Sequence, residues 1–565
     1  MKRRKFLRRA GAGATMIGAT SSWRSPDSPS IASYAYPKTE SIDAARNDEG
    51  LIALRIGFTC VDPHARQEVA GRLSIKKGKL ARARVFGYID VTNDTYTLSP
   101  TNGEEQVITI WLADASEGTL LSFRAGEGDI RFTLGELLKA EELNGVFSGL
   151  QWRSHLLFYH EIGTLDPEDL SIPNENSFTF VAMADPQGGD PFEGKDILKT
   201  RMRIHNAFIE ESVSLVQKIN VNPAFTIVIG DITDDWGAAE DFEQMNTFLQ
   251  KCQTPLLYGI GNHETALRST FGPGYNMQAF DNYFAAQKAV NGLELLLYSF
   301  NLGQWHFVVW PDPLRPGFWE SHTHYFDWLE RDLEKHKDRP TMIFQHVPIH
   351  PIGIVPLIDY AESVFVKREL LRIFARQGNV KYVLSGHVHI PVRASFKTAV
   401  EMEGIRFINL PAAGYRPRAF GEEDFHGGPS QGIAIVEIDD KDARITVKTV
   451  TEEEYAYPPT FRTFDQKRYP LWLGEDWELL VQDSLQNGSF ANGLEHWHQR
   501  FMYVEDEDPA NVCQPRPVEG RPALYLFNRR RGHVAPGQDR LPQDINKVFQ
   551  TVKVRPSDSP VLRLR

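Results

Sequence analysis

A set of polar residues in this 565-residue chain shares one habit: each closely follows a short apolar run of strand-forming residues. They are Asp185 and Gln187 in ADPQ, Asp231 and Asp234 in GDITDD, Asn262, His263 and Glu264 in GNHE, His346 in QHVPIH, and His387 and His389 in SGHVH. Carboxylate, carboxamide and imidazole are donors that Mn²⁺, Fe and Zn²⁺ accept, and no thiolate stands among them. Asp231, Asp234 and Asp235 crowd behind the apolar run FTIVIG, and like charges at the mouth of a buried strand repel unless a cation lies between them. One carboxylate shared by two hard or borderline ions relieves that repulsion. The glycine before it permits close backbone approach, and an asparagine adds a neutral oxygen that keeps the site from being overcharged. A single Asp after a strand is ordinarily a helix cap, and a single His ordinarily a packed or surface residue. Five such groups in order within one region are not accounted for in that way.

The elements that must position them alternate in type. FTFVAMAD, FTIVIGD, PLLYGIGNHE, TMIFQHVP and KYVLSGHVH read as strands, and DILKTRMRIHNAFIEESVSLVQKI, EDFEQMNTFLQKC, YFDWLERDLEKH and KRELLRIFARQG read as helices by their apolar spacing. Strands alternating with helices predict α/β layers with polar groups gathered at the carboxyl ends of the strands.

The ordered five-part signature resembles the calcineurin-like metallophosphoesterase superfamily over residues 176–450. The resemblance implies an α/β fold, a four-layer metallophosphoesterase β-sandwich flanked by helices. It implies two divalent metal ions, Mn, Fe or Zn. Asp185, Gln187 and His389 would hold the first, Asn262, His346 and His387 the second, and Asp231 would bridge them. His263 would face the substrate and protonate its leaving oxygen or stabilise the phosphoryl group, with Asp234 orienting it. The implied reaction is hydrolysis of a phosphomonoester or phosphodiester by direct attack of a hydroxide held between the ions. His350 is expected as a second substrate contact.

Four positions depart from relatives. Gln187 stands where most have His, and a carboxamide oxygen is the weaker donor. Asp235 stands where the protein serine/threonine phosphatases place an Arg, which argues against a phosphoprotein substrate. Thr233 and Asp234 stand where a purple acid phosphatase has Tyr, which argues against a charge-transfer iron site. His322 and His324 in SHTHYFDWL imitate a ligand pair but open a helix, and are expected to cap it or face solvent.

Composition frames the rest. Hydrophobic residues make up 41% and charged residues 24%, and 62 basic against 74 acidic residues give a net charge of −12, a balance that does not point to a nucleic-acid or membrane-surface protein. Cys60, Cys252 and Cys513 are too few and too scattered for a disulfide framework or a Cys-based zinc site. The leader, with Arg3-Arg4 followed by Phe6-Leu7 and an apolar stretch too short to span a bilayer, resembles a twin-arginine export signal over residues 1–35. It predicts a periplasmic or secreted protein without a transmembrane segment. Residues 51–165 alternate with period two between Gly, Asn and Asp turns, predicting a small β-sandwich of immunoglobulin-like or carboxypeptidase-regulatory-like type. Residues 451–480 read as an aromatic-rich linker. Residues 481–565, through NGSFANGLEHW, resemble an incomplete galactose-binding-like jelly roll, whose partner would be a glycan. The leading expectation is thus an exported metal-dependent phosphohydrolase acting on a phosphate ester. The competing one is an extracytoplasmic glycan or wall-polymer binding protein with the central region as scaffold.

Overall fold

The computed structural model describes residues 41–463 apart from 62–67, 101–104, 190–195, 266–277, 314–317, 350–362, 396–398, 415–430 and scattered shorter gaps, together with four strands between 498 and 549. The leader therefore lies outside the described residues, as does most of the jelly-roll region. In that region the strand 498–501 pairs with 546–549, and 513–518 pairs with 521–526.

The first described unit is a sandwich of two five-stranded sheets. Alternation builds it: along Val69–Lys76, Val69 and Gly71 are buried while Ala70 and Arg72 are exposed. Phe58, Phe123 and Phe147 meet between the sheets.

In chain order the central region comprises β1 (Phe178–Ala184), α1 (Asp196–Gln217), β2 (Thr226–Ile229), α2 (Ala239–Leu249), β3 (Leu256–Gly259), α3 (Ala279–Asn291), β4 (Leu297–Leu302), β5 (Trp305–Trp310), α4 (His324–Lys335), β6 (Thr341–Gln345), α5 (Ser363–Gln377), β7 (Val380–Ser385), β8 (Val400–Met402), β9 (Ile405–Asn409), β10 (Gly432–Ile438), β11 (Ala443–Thr449) and β12 (Glu454–Ala456). One six-stranded sheet runs β3-β2-β1-β10-β11-β12. An eight-stranded sheet runs Ile162–Thr164, β4, β5, β6, β7, β9, β8 and Arg462–Thr463. The chain thus enters the second unit before the expected boundary at 165, because Ile162–Thr164 pairs with β4. Likewise the stretch expected as a linker begins with β12 and Arg462–Thr463, one edge strand for each sheet.

Strand alternation sorts side chains into layers. Phe180, Ala182 and Ala184 of β1 point between the two sheets, where they join Phe225, Phe300, Phe307 and Phe344. Val181 and Met183 of the same strand point outward to Val213 of α1 and Phe242 of α2. On the far side Leu329 of α4 and Phe374 of α5 cover the second sheet. Helix, sheet, sheet, helix is the expected four-layer arrangement, preceded by a β-sandwich and followed by β-rich segments. None of the described helices is long and apolar enough to cross a membrane.

The first unit docks on α4 and α5 through charge. Arg82 reaches Asp327 at 2.7 Å, and Arg84 reaches Glu330 at 3.0 Å and Glu369 at 3.1 Å. Behind these lies a polar cluster that corrects one expectation. His322 and His324 are 1% and 0% exposed and neither caps a helix into solvent. His322 Nε2 lies 3.2 Å from Glu161 Oε1, Tyr325 donates its hydroxyl to the same carboxylate, and His324 Nε2 lies 3.0 Å from the Phe158 carbonyl. The segment just before the second unit covers this helix start, so the two imidazoles are buried by a contact distant in sequence.

Candidate metal centre

Parallel register brings the motifs to one rim. Ala184 of β1 pairs with Ile229 of β2, and Ile229 with Gly259 of β3, so the residues that follow all three strands emerge side by side. Phe344 of β6 pairs with Leu384 of β7 at the matching edge of the other sheet. Asp185, Asp231 and Asn262 therefore arrive from the first sheet, and His346, His387 and His389 from the second.

Two groups of ligand atoms result, each within 4.8 Å: Asp231, His346 and His387 in one, Asp185, Asp231 and His389 in the other. Asp231 is common to both. His346 Nε2 is 3.1 Å from Asp231 Oδ1 and 3.1 Å from Asn262 Oδ1, and His389 Nε2 is 3.1 Å from Asp185 Oδ1. Gln187 Nε2 donates to Asp231 Oδ2 at 2.9 Å. Asp185, Gln187 and Asp231 are fully buried. Thus the residues expected as ligands, Asp185, Gln187, Asp231, Asn262, His346, His387 and His389, converge on one place.

The backbone is bent to put them there. Asp185, Gln187, Asp231, His387 and His389 all hold positive φ between 47° and 70°. Left-handed backbone is uncommon outside glycine, and its clustering at functional loops is a recognised device for aiming side chains. Space is equally tight: a Cβ at Gly386 would stand 2.6 Å from Asp185 Oδ2, so only glycine lets the β7 loop close over that carboxylate.

Charge completes the picture. Burial pushes the Asp231 carboxyl up, but His263 and His346 beside it outweigh burial and hold it well below the usual carboxylate range. Burial lowers His346, yet the Asp231 and Asp185 carboxylates raise it to about 10. Burial, then His346, hold His387 well below the ordinary imidazole value, which keeps it a neutral lone-pair donor. Gln187 Oε1 is buried with no hydrogen-bond partner. A buried amide oxygen without a donor is costly. Such an oxygen beside two carboxylates and three imidazoles fits a pair of divalent cations as ligands.

Glu264 acts one layer behind. Its buried carboxylate accepts from the backbone N–H of Gly261 at 2.7 Å, Thr233 at 2.9 Å and Asp231 at 3.1 Å, stitching the β2 and β3 loops together. Asp312, after β5, accepts from Val347 N at 3.1 Å and Gln345 Nε2 at 3.3 Å and so steadies the turn that carries His346.

His263 is half-buried at the rim, with Nε2 3.7 Å from Asp231 Oδ2. Its Nδ1 meets the backbone carbonyl of Asp234, while the Asp234 carboxylate lies 3.7 Å from His205 Nδ1. Asp234 therefore meets His263 through its main-chain carbonyl, while its carboxylate lies beside His205 of α1. A neutral carbonyl fixes the tautomer without the basicity a carboxylate would add. His350 and Asp235 lie outside the described residues.

A third trio, His306, Asp332 and His336, also falls within 4.8 Å. It does not suit an ion. The two imidazoles stack at 4.0 Å with planes 18° apart, and ring-nitrogen lone pairs lie in their ring planes, so they do not converge on one point. The polar atoms satisfy one another instead: His306 Nδ1 is 2.9 Å from Asn301 Oδ1, its Nε2 is 2.9 Å from Asp332 Oδ2, and Ser299 donates to Asp332 at 3.1 Å.

Sequence reasoning gave no part to His205, Asn206 or Asp312, and left Glu264 without a role. His205 carried a legible signal, since it stands four residues before Ile209 and eight before Val213 on the buried stripe of α1.

Residues 178–391 match the calcineurin-like phosphoesterase family. The 3',5'-cyclic-nucleotide phosphodiesterase alr5338 of Nostoc sp. is 24% identical over 194 residues, which are 34% of this chain and 62% of that relative, so the chain spans less than two thirds of its length. The serine/threonine-protein phosphatase CPPED1 of Bos taurus is 26% identical over 230 residues, 38% of this chain and 69% of the relative. The solved structure of TT1561 of Thermus thermophilus covers 50% of this chain and 98% of its own at 11% identity, with a TM-score of 0.27. Since the matched segment takes in every motif from Asp185 to His389, residues 178–391 of this chain are a calcineurin-like phosphoesterase domain.

Proposed function

We propose that this protein is an exported phosphohydrolase that cleaves a phosphomonoester or phosphodiester with the help of two divalent cations. The observation that carries the reading is the pair of ligand groups sharing Asp231. A pair of divalent cations bound there supplies activation of water and neutralisation of phosphoryl charge.

The chain's own residues do the rest. Asp185, Gln187 and His389 would hold one cation and Asn262, His346 and His387 the other, with Asp231 a donor common to the two sets. His346 is oriented by its Nδ1, 3.0 Å from the Ile229 carbonyl, which turns Nε2 inward. His263 keeps its Nδ1–H against the Asp234 carbonyl and offers Nε2 to the substrate; in its imidazolium form Nε2 also carries a proton, which goes to the departing oxygen and leaves the neutral Nδ1–H ring. No side-chain nucleophile and no covalent intermediate are involved.

One relative is named a cyclic-nucleotide phosphodiesterase and others a protein phosphatase, so the test spans both ester types. Purified protein with Mn²⁺ is assayed on p-nitrophenyl phosphate and bis(p-nitrophenyl) phosphate beside Asp231→Asn and His263→Ala. Loss of a positioned proton donor lowers turnover by about 10²–10⁴-fold, which is the result expected for His263→Ala. Wild-type rates in both variants would remove the site from the reaction.

Export rests on Arg3-Arg4 and the Phe6-Leu7 that follows. Arg3→Lys with Arg4→Lys is expected to leave the protein in the cytoplasmic fraction of expressing cells, and unchanged fractionation counts against the route.

A further inference from the structure

Gln187 is held in an unusual way. Its φ is 47°, a left-handed conformation that a residue with a Cβ keeps only when its surroundings impose it. On one side the loop runs alongside the segment after β2: Gln187 N donates to the Asp231 carbonyl at 2.9 Å, Gly188 N to Ile232 at 3.2 Å, and Asp234 N to Gly188 at 2.9 Å. On the other side stand two adjacent residues of α1. His205, 3% exposed, places Nδ1 3.0 Å from the Gln187 carbonyl. Asn206 grips Gly189 at two points, accepting from its N–H at 3.2 Å and donating to its carbonyl at 2.8 Å. The fit leaves no room for a side chain, because a Cβ at Gly188 would stand 2.8 Å from Asn206 Oδ1.

We propose that His205 and Asn206 are positioning residues that fix the Gln187 loop and thereby set the affinity of the cation position formed by Asp185, Asp231 and His389. This rests on the proposed function, since it supposes that a cation binds there. A carboxamide oxygen is a weak donor, so its contribution depends on being held in place at no further conformational expense. Without the His205 N–H, the Gln187 carbonyl loses the partner that opposes relaxation toward extended backbone, and such relaxation swings the carboxamide away from Asp231. His205 also stands 3.7 Å from the Asp234 carboxylate, so one imidazole spans the Gln187 loop and the residue that orients His263.

The test is equilibrium Mn²⁺ binding to the full chain, wild type and His205→Ala, His205→Asn and Asn206→Ala, with circular dichroism and the Tm of the metal-free protein alongside. An Asn side chain puts its Nδ2 donor where His carries Nδ1, so His205→Asn is the rescue. Changes behind a metal ligand typically weaken binding about 10–100-fold, and that is the loss expected at one of two Mn²⁺ sites for His205→Ala and Asn206→Ala, with His205→Asn within about threefold of wild type. Turnover of His205→Ala is expected to fall at low Mn²⁺ and recover as Mn²⁺ rises, with KM for the ester steady. Unchanged Mn²⁺ affinity in folded His205→Ala, or His205→Asn as weak as His205→Ala, overturns the inference alone. If His205→Ala fails to fold, wild-type affinity in Asn206→Ala overturns it. Wild-type protein that binds no Mn²⁺, or binds it equally well as Asp231→Asn, overturns the proposed function and this inference with it.

Discussion

His346 presents both ring nitrogens to oxygen, Nδ1 to the Ile229 carbonyl at 3.0 Å and Nε2 to Asp231 Oδ1 at 3.1 Å. Two acceptors facing one imidazole call for protons on both nitrogens, and the raised value of about 10 agrees. In the metal-free protein a proton thus does part of the work of a cation.

Cation uptake must displace that proton, because a metal ligand binds through a lone pair. Calorimetric titration with Mn²⁺ at pH 8 in buffers of different ionisation enthalpy is expected to show release of about one proton per chain from this group. Heats that do not depend on the buffer would contradict it.

Glu264 faces three backbone donors, so Glu264→Gln turns its amide N–H groups toward other N–H groups. Burial, then the Asp231 charge, raise the Glu264 carboxyl to about 7, so it is a charged acceptor above that pH. Hydrogen bonds to a charged acceptor contribute about 1.5–3 kcal/mol each net, and in mildly alkaline buffer a loss of that order in denaturant unfolding is expected, along with weaker Mn²⁺ binding. Wild-type stability in this variant would mean that the β2 and β3 loops hold together by other means.

Arg84 joins the two units by bonding Glu330 and Glu369 while its own side chain is only 10% exposed. Arg84→Ala leaves both carboxylates short of a partner, although Arg376 and Arg372 remain beside them. A loss of about 1.5–3 kcal/mol is expected, seen as earlier release of the 41–160 unit in limited proteolysis. An unchanged cleavage pattern would show that apolar contacts suffice.

Two buried carboxyls outside the metal centre contribute to acid tolerance. Burial raises Glu161, but the hydrogen bond and charge of His322 outweigh it and hold it at about 2. Burial raises Asp332 as well, and His306 and His336 bring it to about 2. Both folded values lie below the unfolded ones, so the stability these groups contribute is present above about pH 4.5 and is lost as pH falls toward 2. Unfolding followed by fluorescence should begin in that window, and His322→Phe should move it up by about one pH unit. A midpoint unmoved by His322→Phe would place the acid-sensitive group elsewhere.

Much of this was open to reading from residue patterns, for definite reasons. β1, β2, β6 and β7 are short apolar runs ending in chemistry-bearing residues, and the helices α1, α2, α4 and α5 keep their apolar spacing, so layers and motifs could be placed. The register that lines up Ala184, Ile229 and Gly259 could not, since it depends on pairing between strands far apart in the chain. The hairpin of β4 and β5 and the helix α3 carry no motif and escaped notice. His322 and His324 look solvated in local sequence and are buried only because Glu161 and Phe158 come from outside the helix. Whether Asp234 would meet His263 by side chain or main chain is settled by the turn of one rotamer, which no spacing encodes.

His387 donates its backbone N–H to Asp185 across a sequence separation of 202, and His389 reaches the same carboxylate. A polypeptide still emerging from the ribosome with those histidines unsynthesised lacks one donor of each proposed cation set. Completion of both ligand groups is therefore a late event in the molecule's life, reached only once translation has passed residue 389.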